Sequence, residues 1–331
     1  MLIEKLTIAC GLPGYEGEVR DIIIDALKGH VDSLRTDRMG NLIAVKNACA
    51  PGRPIVLNAH MDEAGLCVKS IDADGYLKFA AWGVDPRVIY AKTVSVGKNK
   101  IPGVVGAAPG ALLTPEQLKT AVPLDKLYID IGAGNRDEAG KVCAVGDFAA
   151  FTGEYREFGA HKIKAKALDD RAGCAALIEI LQSNTKRKLT GVFCAQEEAG
   201  LRGSVAAAYQ IDADLVINLE GTVCADTEGT PSHRQVTRQG DGPAVSLADR
   251  SSVYLRPYID AITACAERAG IPYQYRGSGA GGTDAASYHQ AKTGVPVIGL
   301  AVPCRYIHSP VSVMDIRDYR HLIALIKEYI Q

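Results

Sequence analysis

The sequence lacks an excess of charge of either sign. Its 37 lysines and arginines nearly balance its 38 aspartates and glutamates, and the formal net charge is -1. A chain of this kind has no strongly basic surface that would bind nucleic acid or an anionic membrane. It also lacks any run of about 18 apolar residues, the length that a membrane-spanning helix requires. We therefore expect neither nucleic acid nor a membrane as a partner.

The sequence also lacks a disulfide or zinc-finger cysteine pattern. Its nine cysteines are odd in number, include no CxxC pair and fall partly within apolar segments. Such cysteines are typical of reduced thiols in a cytosolic protein. The first residues carry acidic and polar side chains without a long apolar stretch, so they do not resemble a signal peptide. We predict a cytoplasmic protein.

Short apolar strands alternate with amphipathic helices from about residue 162 onward. Helical spacing of apolar residues also marks residues 15–31, and residues 54–60 have the composition of a buried strand. This alternation predicts an α/β fold, a three-layer sandwich with a mainly parallel central sheet. The later segments are strands at 190–196, 214–220 and 296–302 and helices at 171–183, 203–210, 256–270 and 315–330.

The pattern of residue types changes between about residues 67 and 161. This stretch consists of glycine-punctuated runs of strand-forming residues, and its one helical candidate is the segment 115–122. Such a pattern predicts a small all-β barrel. We therefore divide the chain into an α/β domain, residues 1–66 and 162–331, and an inserted β-barrel domain, residues 67–161.

Polar residues mark several of the predicted strand ends. His60 and Asp62 are two residues apart, so in an extended segment both side chains point to the same side and the carboxylate can orient the imidazole for metal binding. A structural His–Asp pair would have the same spacing. Asp169 and Asp170 precede a strong helix, where Asp170 is suited to be the N-cap. Asp169, nearer the preceding strand, is free for another role.

Two further polar residues lie at the ends of later strands. Glu220 ends an apolar strand, where a carboxylate is costly unless it is paired or coordinated. His308 follows the strand at 296–302, at a place where a lone histidine is commonly structural. The carboxyl ends of parallel strands usually form the ligand crevice of an α/β protein. Two histidines and several carboxylates there match the ligand set of a site for two divalent ions.

The adjacent Glu197 and Glu198 follow another predicted strand. At a strand end neighbouring side chains diverge, so Glu198 can bind a metal ion while Glu197 faces the substrate as general acid and base. A nearby cation would also remove the repulsion between the two carboxylates. Two glutamates on a solvated loop are the simpler explanation, and the surrounding ligand pattern favours the metal site.

These residues belong to a series of motifs that resembles a known family. In order along the chain the motifs are HMDEAG, LDDRAG, QEEAGLRGS, LEG, GGTDA and RYIHSP. Together they are similar to metallopeptidase family forty-two, the tetrahedral, glutamyl and deblocking aminopeptidases, some of which were also labelled endoglucanases. The resemblance extends from the first helix to the last. It implies a zinc-peptidase-like α/β domain with a pair of metal ions, interrupted by a β-barrel that helps to assemble subunits.

The resemblance also implies how the metal ligands are divided. His60 and Glu220 would bind one divalent ion, and Glu198 and His308 would bind the other. Asp169 would bind both. Zinc or cobalt is the expected metal, with two ions per subunit.

The remaining roles follow from the same resemblance. Asp62 would orient His60, and Glu197 would be the base that activates water. One departure is that many members have aspartate at the position of Glu220. Should Glu220 not be a ligand, the flanking Asp214 and Asp226 are the alternatives.

Two other classes of function have weaker support. Gly277, Gly279 and Gly282 match the GxGxxG pattern of dinucleotide-binding proteins, but the next acidic residue after Asp284 is Asp315, farther away than that fold requires. We interpret the glycines as a flexible loop beside the site. A glycoside hydrolase needs two carboxyl groups and no metal set, and a non-catalytic metal-binding protein would leave Glu197 unexplained.

The predicted activity is therefore that of a metal-dependent aminopeptidase. Its substrates would be short peptides with a free N-terminus. The resemblance further implies self-association, with dimers that assemble into a tetrahedral dodecamer.

Overall fold

A computed structural model describes residues 1–277 and 281–331. The strands are short and mostly buried, as expected for a sheet covered by helices on both faces. Numbered along the chain, they are β1 (Ser33–Thr36), β2 (Leu42–Lys46), β3 (Ile55–His60), β4 (Gly65–Ile71), β5 (Leu77–Trp82), β6 (Thr93–Val96), β7 (Ile101–Gly106), β8 (Tyr128–Asp130), β9 (Phe148–Phe151), β10 (Arg156–Phe158), β11 (Lys162–Ala165), β12 (Leu189–Cys194), β13 (Leu215–Val223), β14 (Ala244–Ser246), β15 (Gln274–Arg276), β16 (Val297–Arg305) and β17 (Ser312–Asp315).

The α-helices begin and end largely where the sequence signals place them. The helix predicted for residues 256–270 has a proline in its first turn and ends at Gly270, whose φ of 65° forms a left-handed cap. The helices of the described residues are α1 (Leu2–Ile8), α2 (Gly17–Leu27), α3 (Arg136–Val142), α4 (Leu168–Gln182), α5 (Arg202–Gln210), α6 (Arg256–Ala269), α7 (Ala285–Gln290) and α8 (Ile316–Tyr329).

The central sheet has the order β1-β2-β12-β3-β13-β16-β17-β11-β10, and β14 and β15 extend it beside β16. Its middle strands β12, β3, β13 and β16 are parallel, as predicted. Pairing is antiparallel for β1, β2, β17, β11 and β10, which sequence patterns did not identify, so the whole sheet is mixed. This arrangement places the carboxyl ends of four parallel strands side by side.

Helices cover both faces of this sheet. On one face α4 packs against β3 and β13, and α1, α2 and α8 pack around α4. On the other face α5 and α7 contact each other and the strands β12, β13 and β16. The three-layer α/β sandwich is therefore confirmed. Within the described residues, no helix has the length and apolar character needed to cross a membrane.

Strands β4 to β9 form a separate closed barrel in the order β4-β5-β8-β7-β6-β9. Its interior is a hydrophobic core of its own, distinct from the core beneath the central sheet. A third small cluster of Leu12, Phe148 and Ala150 lies between them. The predicted inserted barrel is therefore present.

The barrel strands differ by a few residues from the predicted boundaries. β4 begins at Gly65, and β10 pairs with β11 of the central sheet although the prediction assigned residues 156–161 to the insert. A short strand can join either sheet, and local sequence carries little information on its distant partner. The catalytic and assembly roles of the two domains stay predictions.

The helix expected at residues 115–122 is also absent. Only the single 3₁₀ turn Gln117–Lys119 forms there. The segment is eight residues long and is bounded by Pro115 and Pro123. Residues 115–121 are exposed, so the segment lacks the packing against a core that stabilises short helices.

Candidate metal centre

All five predicted metal ligands meet at the carboxyl edge of the parallel strands. His60 is the last residue of β3, and Glu198 and His308 follow β12 and β16. Glu220 lies within β13, which continues for three residues beyond it to Val223. Asp169 lies at the start of α4, which reaches the same edge from the helical layer.

The five side chains form two groups that share one carboxylate. The first group is His60, Asp169 and Glu220, and the second group is Asp169, Glu198 and His308. Within each group the candidate ligand atoms lie within 4.8 Å of one another. Residues far apart in the sequence therefore form two adjoining sets of candidate ligands.

Asp169 faces the two groups with different oxygens. Its Oδ1 lies 3.5 Å from His60 Nε2, and its Oδ2 lies 3.7 Å from His308 Nε2. The other carboxylates complete the sets, with Glu220 Oε2 3.6 Å from His60 Nε2 and Glu198 Oε2 3.7 Å from His308 Nδ1. One carboxylate placed in this way can contact two ions at once.

A glycine on β13 permits Asp169 to reach this position. A Cβ atom at Gly221 would lie 2.9 Å from both Cα and Cβ of Asp169, closer than such atoms approach. Asp169 is joined to Asp170 by a cis peptide bond. Asp170 lies within α4 with non-helical φ and ψ, after the N-cap residue Ala167, and its Oδ1 accepts a hydrogen bond from Gly173 N at 2.9 Å, the kind of contact that an N-cap side chain makes.

Backbone carbonyls orient both imidazoles. Nδ1 of His60 lies 3.1 Å from the carbonyl oxygen of Asp62, and Nδ1 of His308 donates to the carbonyl of Gly83, which follows β5 of the barrel. With Nδ1 carrying the proton, each Nε2 presents its lone pair to Asp169. Glu220 also faces Nε2 of His60, whereas Glu198 lies nearer Nδ1 of His308. Metal-binding histidines are commonly held in this way.

The carboxylate of Asp62 has a second set of partners that the sequence did not indicate. Its oxygens accept hydrogen bonds of 2.9 Å from the backbone N–H groups of Glu197 and of Glu198, while its Oδ1 lies 3.5 Å from His60 Nδ1. Asp62 is fully buried. It therefore fixes the turn that carries the two glutamates as well as contacting His60.

Burial and mutual repulsion make Glu197, Glu198 and Glu220 hard to ionise without a cation. In Asp169, by contrast, burial is outweighed by interactions with His60, which lower its pKa. Burial raises the pKa of Glu220 to about 8 and that of Glu198 to about 7, with Asp169 adding to both. Burial also raises the pKa of Glu197 well above its usual range, although His60 opposes the shift. Raised pKa values in a cluster of acids indicate a place where positive charge is favoured.

The pKa values of the two imidazoles are raised as well, so their charged form is favoured. Burial disfavours protonation of His60, but attraction to Glu197, Asp169, Asp62 and Glu220 outweighs it and raises its pKa well above the usual value. The pKa of His308 is raised for the same kind of reason, chiefly by Glu198 and Asp169 against the effect of burial. Protons on these groups thus offset part of the negative charge of the carboxylates, and divalent cations would offset it more completely.

The residues present fit a pair of divalent ions. Asp169 Oδ1 is buried and has no hydrogen-bond partner among the described residues, so a strong acceptor there is free for a cation. Imidazole nitrogens combined with carboxylate oxygens suit zinc and similar borderline metals. Both groups offer three such ligands and leave room in the coordination shell for substrate and water.

The alternative ligands that the sequence suggested lie elsewhere. Asp226 is paired with Arg305, with its two oxygens 2.6 and 2.8 Å from the guanidinium. Asp214 is exposed near Arg53. Neither belongs to the two groups formed by the described residues. Of the glycine pattern, Gly279 lies outside the described residues.

A cavity opens beside the second group. It has a volume of 730 Å³ and lies between the barrel segment after β5 and the segment around His308. Its lining includes Tyr90 from the barrel and Val223, Tyr306 and Val311 from the sandwich. The barrel therefore contributes both a wall beside the site and the carbonyl that orients His308.

The close approach of Gly83 to Glu198 gives a direct test of how the barrel supports the second group. A Cβ atom there would lie 2.2 Å from Glu198 Oε2, and φ is +63°. We expect Gly83→Ala to displace Glu198 and to lower zinc affinity by about tenfold or more. Gly132 also has a positive φ, +77°, but open space around it, so Gly132→Ala is the matched control. Zinc affinity is measured by chelator competition. Equal affinities in the two variants would contradict the role of Gly83 in supporting the second group.

A model of the M42 glutamyl aminopeptidase family matches residues 40–325 of the chain. The relatives include a putative aminopeptidase of Acetivibrio thermocellus, 38% identical over 99% of this chain and 97% of that protein. These matches extend over nearly the whole sequence, including every residue of the two groups.

Solved structures show the same likeness. An aminopeptidase from the archaeon Desulfurococcus kamchatkensis superposes with a TM-score of 0.94 at 33% identity, covering 99% of this chain and 93% of the other. The TET1 peptidase of Pyrococcus horikoshii, which can assemble into a tetrahedron or a large octahedral shell, has a TM-score of 0.88 at 32% identity, with coverage of 100% and 99%.

Proposed function

The chain belongs to the M42 glutamyl aminopeptidase family, and on that premise we propose that it is a metal-dependent aminopeptidase that removes N-terminal residues from short peptides. The observation that carries the proposal is the pair of ligand groups that share Asp169, with the carboxylate of Glu197 on the turn beside them. Zinc or cobalt is the proposed metal.

The chain's own residues would hold the two ions as the groups indicate. His60 and Glu220 would bind one ion and Glu198 and His308 the other, with Asp169 contacting both. When bound, the ions supply positive charge that polarises the scissile carbonyl and lowers the pKa of water. Asp62 positions His60 and the turn after β12.

Glu197 is the proposed general base and acid. Asp62 holds the backbone of Glu197 through a 2.9 Å hydrogen bond, which fixes the point on the turn from which the side chain extends. It would accept a proton from the attacking water at a carboxylate oxygen, hold it and then donate it to the leaving amine. Its raised pKa, caused mainly by burial, suits a group that must carry a proton between two steps.

The proposed preference for a free N-terminus follows from the groups in the site. One metal ion and a nearby carboxylate of the set Asp62, Asp169, Glu197, Glu198 and Glu220 could together hold a free α-amino group. An acetylated terminus has neither a basic nitrogen nor a positive charge to offer them. The side chain preferred at the N-terminus is left to experiment.

Metal removal should abolish turnover. We expect the protein treated with a chelator to release no p-nitroaniline from a panel of aminoacyl p-nitroanilides, and zinc or cobalt to restore release. N-acetylated substrates should stay intact in every condition. Full activity after verified metal depletion, checked by atomic absorption, would refute metal dependence. Cleavage of acetylated substrates would refute the aminopeptidase assignment.

We also propose self-association through dimers into a tetrahedral dodecamer. The support is the likeness to shell-forming peptidases and the large apolar side chains that the barrel exposes. Leu112, Leu118 and Val145 are 77%, 60% and 64% exposed. Light scattering would distinguish a monomer, a dimer and a dodecamer.

A further inference from the structure

A chain of buried hydrogen bonds lies directly behind Glu220. It begins at the fully buried Asp284, within the GGTDA motif, and passes through Asn58 on β3 and Asn218 on β13. Asn58 and Asn218 are register partners on neighbouring parallel strands. Polar side chains in a sheet interior are costly unless their groups are paired, so this continuous chain requires an explanation beyond packing.

Each hydrogen bond in this buried series has a defined donor and acceptor. Asp284 Oδ2 accepts from Asn58 Nδ2 at 3.1 Å, and Asn58 Oδ1 accepts from the hydroxyl of Tyr288 at 2.9 Å and the thiol of Cys194 at 3.0 Å. These partners fix which end of the Asn58 amide carries the nitrogen. Asn58 Nδ2 also donates to Asn218 Oδ1 at 2.7 Å.

The orientation of Asn218 follows from that of Asn58. Since Asn218 Oδ1 accepts from Asn58, its nitrogen faces the other way and donates to Glu220 Oε1 at 2.9 Å and to the Thr283 hydroxyl at 3.3 Å. A reversed amide would point an oxygen at the carboxylate and repel it. One oxygen of Glu220 is thereby occupied, and Oε2 faces His60.

We propose that Asn218 positions Glu220 as a ligand of the first group and that Asp284, through Asn58, sets the direction of the Asn218 amide. The inference rests on the proposed function, because it concerns the binding of an ion by the first group. Glutamate has one more rotatable bond than aspartate and loses more side-chain freedom when it is fixed. A donor held behind one oxygen reduces that loss and presents the other oxygen to the ion.

The test measures zinc affinity at the first group alone. In a His308→Ala background the second group lacks its imidazole, so the first group is the intact one. Adding Asn218→Leu, which keeps the volume but removes the donor, should weaken zinc binding by about 10- to 100-fold in competition with a chromophoric chelator. Asn218→Asp, which preserves the shape and repels Glu220, should weaken it at least as much and serves if the leucine variant does not fold.

Two comparisons separate positioning from a general loss of structure. Thr190→Val removes a buried polar group near the opposite end of β12 and should leave zinc affinity unchanged. In a Glu220→Asp background the shorter side chain withdraws from Asn218. The further substitution Asn218→Leu should then weaken zinc binding by less than about threefold. An equal loss with glutamate or aspartate at position 220 would overturn the inference.

The outcomes distinguish the inference from its premise. Wild-type protein that binds no zinc would overturn the proposed metal centre and the inference together. Wild-type protein that binds two zinc ions, with unchanged affinity on Asn218→Leu in the His308→Ala background, would overturn the inference and leave the proposed function standing.

Discussion

Replacing Glu197 by glutamine is expected to lower kcat by roughly 100- to 10,000-fold, the range for loss of a catalytic acid and base. Glutamine has nearly the same shape but cannot accept and return a proton in the relevant pH range. The backbone N–H of residue 197 still donates to Asp62, so the turn is retained. The measurement is steady-state hydrolysis of the best aminoacyl p-nitroanilide together with zinc content.

Glu198→Gln provides the comparison for this result. Glu198 is a member of the second group, so its substitution should lower zinc affinity as well as rate. Glu197→Gln should bind as much zinc as the wild type. Near-full activity of Glu197→Gln would remove the proposed role, and loss of zinc from that variant would make Glu197 a ligand instead.

Replacing Glu63 by glutamine is expected to lower the free energy of unfolding by about 3 to 5 kcal/mol, the usual cost of breaking a buried ion pair. Lys166 Nζ lies 2.5 and 2.6 Å from the two oxygens of Glu63, and Arg171 lies 3.3 Å from one of them. All three side chains are almost fully buried. Without Glu63 the two cations would lie in the interior with no anion beside them.

The exposed pair of Glu154 and Arg156 is the matched control. Its two atoms are 2.6 Å apart, but the side chains are 63% and 69% exposed. Glu154→Gln should change the free energy of unfolding far less than Glu63→Gln does, because water screens an exposed pair. Urea denaturation of both variants measures the difference. Equal effects would show that burial does not govern the contribution of these pairs.

The residues that could be predicted from sequence have a local signature. His60 follows a strand-forming run, Asp169 precedes a helix and Glu198 follows a strand, so strand-end position and side-chain chemistry together identify them. The parallel order of β12, β3, β13 and β16 then brings these ends to one edge. The likeness to a known family supplied the division into two ligand groups.

The residues that could not be predicted act through distant partners. Asn58 and Asn218 read as ordinary polar interruptions of apolar strands, and their hydrogen bond depends on the register of two strands 160 positions apart. Gly83 lies in the barrel, where no sequence signal connects it with His308. The ion pair of Lys166 and Glu63 likewise joins residues that no local sequence signal connects. Long-range pairing, and not residue type, decides these contacts.

The two ligand groups draw on residues from position 60 to position 308. β16 must be inserted between β13 and β17 before His308 can approach Asp169. Contacts so far apart along the chain form slowly, because the entropy of closing long loops is lost before the contacts stabilise the fold. A ribosome-bound chain that has not yet emerged past residue 308 therefore has an incomplete second group. The second group is therefore complete only after the last strands of the chain have joined the sheet.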